Sequence, residues 1–414
     1  MRKIMGAGAA LLLVAAFSIS CGKGKQAEKY YQAGIDLQER GEWDPAIVQF
    51  DGALRMDPGM AKAFYHRGIS QNYMGRFEKA IADFDQAVQQ DSQMSGAFYN
   101  RAFAKKSIGK FREAIQDFNA AIRLNPRYKE AFDERGNVYF TQGRYQQAVR
   151  DHTEAIELNP ENPIFRLDRG RAFQNMGKFQ EAIQDFNEAL RLEPQLALAY
   201  SYRGVVYNFL GQFENALQDL TTAINLNPGL VQAFNSRGAL YDSQGQYDQA
   251  VQDYDEAIRL DPRHAQAYNN RGRTFWNQGD TQKAIGDFES AINLNGNLIP
   301  AHNNLGALYD SLGQYDKAVE QFGQSLQLNS GNPQVFNRRG LAFRKLGKLE
   351  EALQDMNQSL RLAPEFGEGY AARALVYFSM GKAQEAGRDK EKALKLGVDP
   401  SYFDQEVAGG RRLR

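Results

Sequence analysis

Arginine and aspartate, the residue types that make the strongest directional ion pairs, recur at fixed places along this 414-residue chain. In "YNNRGRTFWNQG" (268–279) an arginine stands directly before a glycine, and sixteen residues later an aspartate follows, Arg271 then Asp287. The same couple occurs nine times: Arg67 with Asp83, Arg101 with Asp117, Arg135 with Asp151, Arg169 with Asp185, Arg203 with Asp219, Arg237 with Asp253, Arg271 with Asp287, Arg339 with Asp355, and Arg373 with Asp389. A guanidinium beside a carboxylate can steer charge in a reaction, or it can lock two helices in register through a two-pronged bond. Nine copies decide between the two, because an active site is not built nine times over. The couple is expected to be scaffolding.

Other reactive residues are few. His66, His152, His264 and His302 share no ligand spacing with a pair of carboxylates, so no metal site is expected. Cys21 is the single cysteine, which excludes a disulfide or a thiolate cage within one chain. "GAG" at 6–8 lacks the strand and helix that a phosphate loop needs, and "NQS" at 357–359 is a formal glycosylation match inside a helical pattern. No nucleophile elbow or metalloprotease helix is present. No catalytic residue and no cofactor are expected, and the chain does not read as an enzyme.

Fifty basic residues balance fifty acidic ones, and the formal net charge is zero. A nucleic-acid binder usually carries a strong basic footprint, so no nucleic acid is expected as partner. A mean hydropathy of −0.58 excludes a protein with many membrane spans. Residues 1–20, "MRKIMGAGAALLLVAAFSIS", place Arg2 and Lys3 before an apolar run and small residues, the pattern of a secretory signal. Cys21 follows at once, and a short polar linker fills 21–26.

The elements that position the couples follow a ruler. From Ala27 to Pro400 the chain divides without insertion into eleven units of 34 residues: 27–60, 61–94, 95–128, 129–162, 163–196, 197–230, 231–264, 265–298, 299–332, 333–366 and 367–400. Position 15 is glycine in all eleven, Gly41 to Gly381, and position 20 is alanine in all eleven, Ala46 to Ala386. Position 8 is glycine in nine. It falls inside a helix, where glycine costs about 1 kcal/mol relative to alanine, so it is kept for a close approach. Position 15 fits a left-handed helix cap, and proline after the second helix in seven repeats stops it. Two antiparallel helices folded about position 15 bring position 7 opposite position 23. Both charges are missing together in the first repeat (Ala33, Gln49) and the ninth (Leu305, Gln321), so pairing within one repeat leaves no mismatch.

This pattern resembles the tetratricopeptide repeat, over 374 of the 414 residues. The pentatricopeptide RNA readers have a similar period without this glycine and alanine signature. The resemblance implies an all-α fold, a right-handed α-solenoid superhelix of eleven helix-turn-helix repeats, with an inner groove that holds an extended segment of a partner protein. It also implies that positions 2, 5, 9, 12 and 13 line that groove. Position 5 reads Tyr31, Tyr65 and Tyr99 in the first three repeats, Leu167 in the fifth, and Asn235, Asn269, Asn303 and Asn337 in the seventh to tenth. Phe140 and Phe209 lie between these sets, with Arg273 and Trp276 beside the asparagines. The asparagines are similar to the ladder in the repeat arm of O-GlcNAc transferase, which falls one position later. No repeat has lysine at position 5, unlike chaperone-type carboxylate clamps. Residues 401–414 are expected to close the array with a short capping helix and a basic tail.

"SISC" resembles a lipobox, although Ser18 stands where Leu, Val or Ile is usual; Ser18 and Ser20 equally suit ordinary signal cleavage. Gly22 is similar to an outer-membrane sorting residue. The expected protein is an exported scaffold of the bacterial cell envelope, membrane-bound through lipid on Cys21, as bacterial tetratricopeptide lipoproteins assist outer-membrane or pilus assembly. The alternatives are a soluble periplasmic or secreted protein, the regulatory arm of an enzyme complex, and a peptidoglycan or sugar binder using the asparagines. If Cys21 carries lipid, Cys21→Ser should shift the protein from the membrane fraction to the soluble one, since several acyl chains anchor stably. Wild-type protein recovered soluble with an unmodified Cys21 would contradict the anchor.

Overall fold

The computed structural model describes residues 23–403, and the signal-like segment, Cys21 and residues 404–414 lie outside the described residues. Each repeat is an antiparallel helical hairpin, and the described residues contain helices and turns but no strand. In the second repeat the helices are Ala61–Tyr73 and Phe77–Gln90, at positions 1–13 and 17–30 of the frame. The same limits recur down to Gly367–Ser379 and Ala383–Lys395. The first helix of the first repeat is longer at its start, 23–39, so that Lys23 to Gln26 are helical rather than linker. Nothing in "KGKQ" stops a helix, and Ala27 behind it is fully buried.

Three small residues fix the hairpin. The position 15 glycines all have φ between 69° and 85°, so the left-handed turn closes the first helix at no steric cost. At position 8 a Cβ on Gly68 would come 2.7 Å from the Phe84 ring, which itself is wholly buried. The glycine thus makes room for the position 24 ring of its own second helix, and Gly170 does the same for Phe186. The position 20 alanines are wholly buried from Ala46 to Ala352. At the far end Phe403 packs on Ala371, Leu375 and Ala393, with Lys390 over its ring at 4.9 Å.

The chain forms two compact units, Met1–Val206 and Tyr207–Arg414, and the division falls inside the helix Ala197–Phe209. In the first unit Ala61–Tyr73 touches Ser95–Ser107, which touches Lys129–Thr141, which touches Pro163–Asn175. In the second unit the first helices from Val231–Ser243 to Gly367–Ser379 touch in the same succession. Within each unit, among the described residues, no two second helices of successive repeats touch. First helices therefore crowd the inside of the stack and form its inner wall within each unit.

The arginines bind more than the aspartates expected of them. In Arg135, Nε donates to Asp151 Oδ2 at 2.7 Å and Nη2 to Asp151 Oδ1 at 2.7 Å, a fork across the hairpin. The third arm, Nη1, reaches Asn119 at position 25 of the preceding repeat. Eight couples show the fork: those of Arg67, Arg101, Arg135, Arg169, Arg237, Arg271, Arg339 and Arg373. The members of the ninth, Arg203 and Asp219, belong to different units. The reach to position 25 joins Arg67 to Asp51, Arg101 to Asp85, Arg169 to Thr153, Arg203 to Asn187, Arg237 to Thr221, Arg271 to Asp255 and Arg373 to Asn357. Aromatic rings one turn away lie against the guanidinium, as Phe132 and Tyr139 do against Arg135 at 5.5 and 6.0 Å.

Burial outweighs the guanidinium at Asp83 and holds its carboxyl above the ordinary value. Such pairs fix geometry more than they add net stability, while an abandoned partner costs about 3–5 kcal/mol when buried. Arg135→Leu, which strands the buried Asp151, should therefore lower the thermal midpoint more than Arg135→Leu with Asp151→Gln, the combination that the ninth repeat already uses. Strictly additive losses in that cycle would rule out the coupling.

Candidate functional site

On the inner wall, polar side chains are largely spent on the neighbouring repeat. Asn270 Nδ2 donates to Asn235 Oδ1 at 3.0 Å, and Asn304 Nδ2 to Asn269 Oδ1 at 3.0 Å. The position 6 asparagine of one repeat thus holds the position 5 asparagine of the repeat before it. In the first unit Asn100 Nδ2 donates to the Tyr65 hydroxyl at 3.3 Å in the same register. Position 12 also reaches forward: Asn72 Nδ2 donates to Asn100 O at 3.2 Å, and Lys106 pairs with Glu134.

This corrects the expectation for position 5. Asn269 is 2% exposed, Asn337 6% and Leu167 3%, so they belong to the seam between repeats and not to an open wall. Asn235 and Asn303 are half-buried on the same seam. The physical reason is that positions 5 and 6 both meet the adjacent repeat: Asn270 at position 6 is itself 8% exposed and is bonded to Asn235. The doubled asparagines in "YNNRG" and "HNNLG" carried that signal. Tyr31, Tyr65 and Tyr99 are half-buried. Lys62 Nζ lies over the Tyr31 ring at 4.4 Å, and Tyr99 meets Tyr128 at 4.8 Å. Burial, aided by Glu134 and Tyr128, pushes the Tyr99 phenol up.

Between the fourth and sixth repeats the wall is charged and closed. Asp133 and Asp168 occupy the places of the asparagine pair, and both are buried. The His152 Nδ1 donates to Asp133 Oδ1 at 2.8 Å, from position 24 where most repeats have a large apolar side chain. The Arg171 Nη1 donates to Asp168 at 2.8 Å, with its guanidinium between Phe140 at 4.8 Å and Tyr202 at 5.0 Å. Burial and then Asp133 raise the Asp168 carboxyl. Phe140 is therefore a stacking partner of Arg171.

The exposed residues of the wall are of another kind. Tyr73, at 69% exposure, stacks on Trp43 at 4.2 Å in the first unit. In the second unit Phe209 is 69% exposed and Phe378 62%, Arg273 is exposed while bonded to Asp242 at 3.0 Å, and Trp276 is half-buried against the core. Arg338 is exposed at position 6 of the tenth repeat. Among the described residues, no group of three or more His, Cys, Asp or Glu side chains could hold a metal ion, and no helix is long and apolar enough to cross a membrane.

His66 gives the first unit a pH dependence. Its Nδ1 donates to Gln38 Oε1 at 2.9 Å and its ring meets Tyr31 and Tyr65 edge-on. Burial, then Lys62, lowers its pKa from 6.5 to about 4. The fold therefore favours the neutral ring, and protons favour the unfolded chain. Stability from this site is complete above pH 6.5 and falls as the pH drops toward about 4. His66→Asn, the residue found at this position in the next repeat, should flatten the fall of the unfolding midpoint over that range. An unchanged slope would assign the acid sensitivity elsewhere.

Comparison with known proteins follows this geometry. A family model described as "TPR repeat" matches residues 105–143 and 240–279. Models described as "Tetratricopeptide repeat" match 134–197, 167–230, 303–365 and 337–397, as well as 263–330 and 61–94. No curated protein matches the sequence. Among solved structures, the Cut9–Hcn1 hetero-tetramer of the APC/C is similar at 14% identity and a TM-score of 0.53, over 94% of this chain and 96% of that one. A tetratricopeptide repeat protein from Parabacteroides merdae is similar at 20% identity and a TM-score of 0.52, over 61% of this chain and 100% of that one. Repeat hairpins, matched models and shared fold lead to one conclusion: the chain belongs to the tetratricopeptide repeat family.

Proposed function

We propose that this scaffold for protein–protein interaction holds an extended segment of its partner on the inner wall of the stacked first helices. The observation that carries the reading is the division of labour on that wall. Asn235, Asn269, Asn270 and Asn304 are bonded to one another between repeats, whereas Tyr73, Phe209, Arg338 and Phe378 are exposed, as is Arg273 while bonded to Asp242. Aromatic rings and guanidiniums anchor protein segments well, through large rigid faces and planar donors. A sugar binder would need free amides that reach the surface, whereas Asn235, Asn269, Asn270 and Asn304 are joined to one another and Asn337 is 6% exposed.

The envelope setting rests on the sequence alone: the cationic, apolar first twenty residues and Cys21 immediately after them. On this reading the array is exported, lipid-anchored and positioned at a membrane, where it assists envelope or pilus assembly without catalysis.

Tyr73→Ala, Arg273→Ala and Phe378→Ala together should reduce recovery of a co-purifying partner at least about tenfold, the weight of one anchor residue or more, with the helical content unchanged. Alanine at Arg191 and Lys283, exposed at the second helices, should leave recovery as it is. The reverse outcome would move the working surface to the outer helices.

A further inference from the structure

The ninth repeat, alone among those preceded by another repeat, lacks the arginine and aspartate couple. An acidic residue at position 25, when another repeat follows, meets the next arginine in Asp51, Asp85 and Asp255. Glu289 at position 25 of the eighth repeat is the exception, because Leu305 stands where the arginine would be. Gln321 replaces the aspartate across the hairpin, and its side-chain amide is hydrogen-bonded to His302 Nδ1 at 2.9 Å. The place is not filled by the leucine. A cleft of about 550 Å³ opens there, bounded by Glu289, Glu320, Gln321, Ile292, Leu305 and Tyr309.

We propose that this cleft is a binding site for an arginine side chain of a partner protein, which completes from outside the bridge that the other repeats make from within. Seven guanidiniums of this same chain, those of Arg67, Arg101, Arg135, Arg169, Arg237, Arg271 and Arg373, show the geometry: a fork on position 23 and one arm on position 25 of the preceding repeat, with rings beside the cation. At the ninth repeat the charged acceptor is Glu289, and Gln321 offers a single amide oxygen in place of the fork. Both glutamates at the cleft are exposed. The Tyr309 hydroxyl donates to Glu289 at 3.2 Å, a neutral bond that leaves the carboxylate charge unbalanced. Lys317 lies nearby but sits over the Tyr309 ring, 5.0 Å from its centre. A planar guanidinium suits two acceptors on two helices better than a compact ammonium does. The apolar floor of Ile292 and Leu305 takes the methylene stem. The site is separate from the inner wall, and the proposal does not depend on what that wall binds.

Ethylguanidinium is the probe, at about 50 mM against equal concentrations of ethylammonium and sodium chloride, with hydrogen exchange read by mass spectrometry on the full chain. Ethylguanidinium should slow exchange over 299–312 at least about threefold relative to both other salts. Exchange over 61–73, where Arg67 already occupies the place, should be unaffected. Glu289→Gln, an exposed change that leaves packing intact, should remove most of the effect. Leu305→Arg with Gln321→Asp should slow exchange over 299–312 without the probe and abolish any further response to it. Equal slowing by all three salts, no slowing, or an undiminished response in both variants would overturn the site.

Discussion

A guanidinium has five donors in one plane, and the arginine at position 7 uses that plane to hold two helices of its own repeat and one of the repeat before. Everything else in the hairpin serves this arrangement. The glycine at position 8 lets the second helix approach until the carboxylate is within reach, as the Gly68 to Phe84 contact shows. The left-handed glycine at position 15 sets the antiparallel return that puts position 23 opposite position 7. The rings at positions 4 and 11 cover the cation, so its charge is directed at acceptors instead of water. The cost of burying the carboxylate is visible at Asp83. What the pairs supply is register: a hairpin slipped by one residue would strand both charges.

Because each bridge spans only adjacent repeats, the stack is a chain of local agreements and each junction can be altered without disturbing distant ones. The ninth repeat shows such an alteration in neutral form. Leu305 packs into the core, His302 bonds both Gln321 and the Gly296 carbonyl, and Tyr309 takes over the donor role toward Glu289. On the other side, Gly323 offers Arg339 no side-chain acceptor at position 25. Both junctions of the ninth repeat therefore lack the arginine arm, for two different reasons.

The period, the turn glycine and the within-repeat couple were legible in the sequence because each recurs with one residue type. The reach to position 25 was not, since its acceptor alternates among Asp51, Asn119 and Thr153, which share only a side-chain oxygen at one distance from the backbone. The inner wall was legible as a face and not as a surface. Positions 5 and 6 both lie against the adjacent repeat, where Asn269 and Asn270 are buried and bonded to each other, and residue type alone does not reveal that burial. His152 was invisible as the partner of a buried carboxylate, because nothing in the linear sequence shows that Asp133, nineteen residues earlier, would face it.

The seam has a consequence for recognition. A ligand that takes a hydrogen bond from Asn270 or Asn304 must first break the bond that holds the preceding repeat, so it gains little unless it replaces that bond on both sides. An aromatic or cationic contact with Phe378, Tyr73 or Arg338 breaks no such bond. On the proposed reading, a segment held by this wall gains most from side-chain faces and acidic groups and least from a lone backbone amide. Where a partner does replace a seam bond on both sides, the angle between two repeats becomes part of the binding equilibrium. Affinity at one junction is then coupled to curvature at that junction, and by linkage the same free energy is felt in both directions.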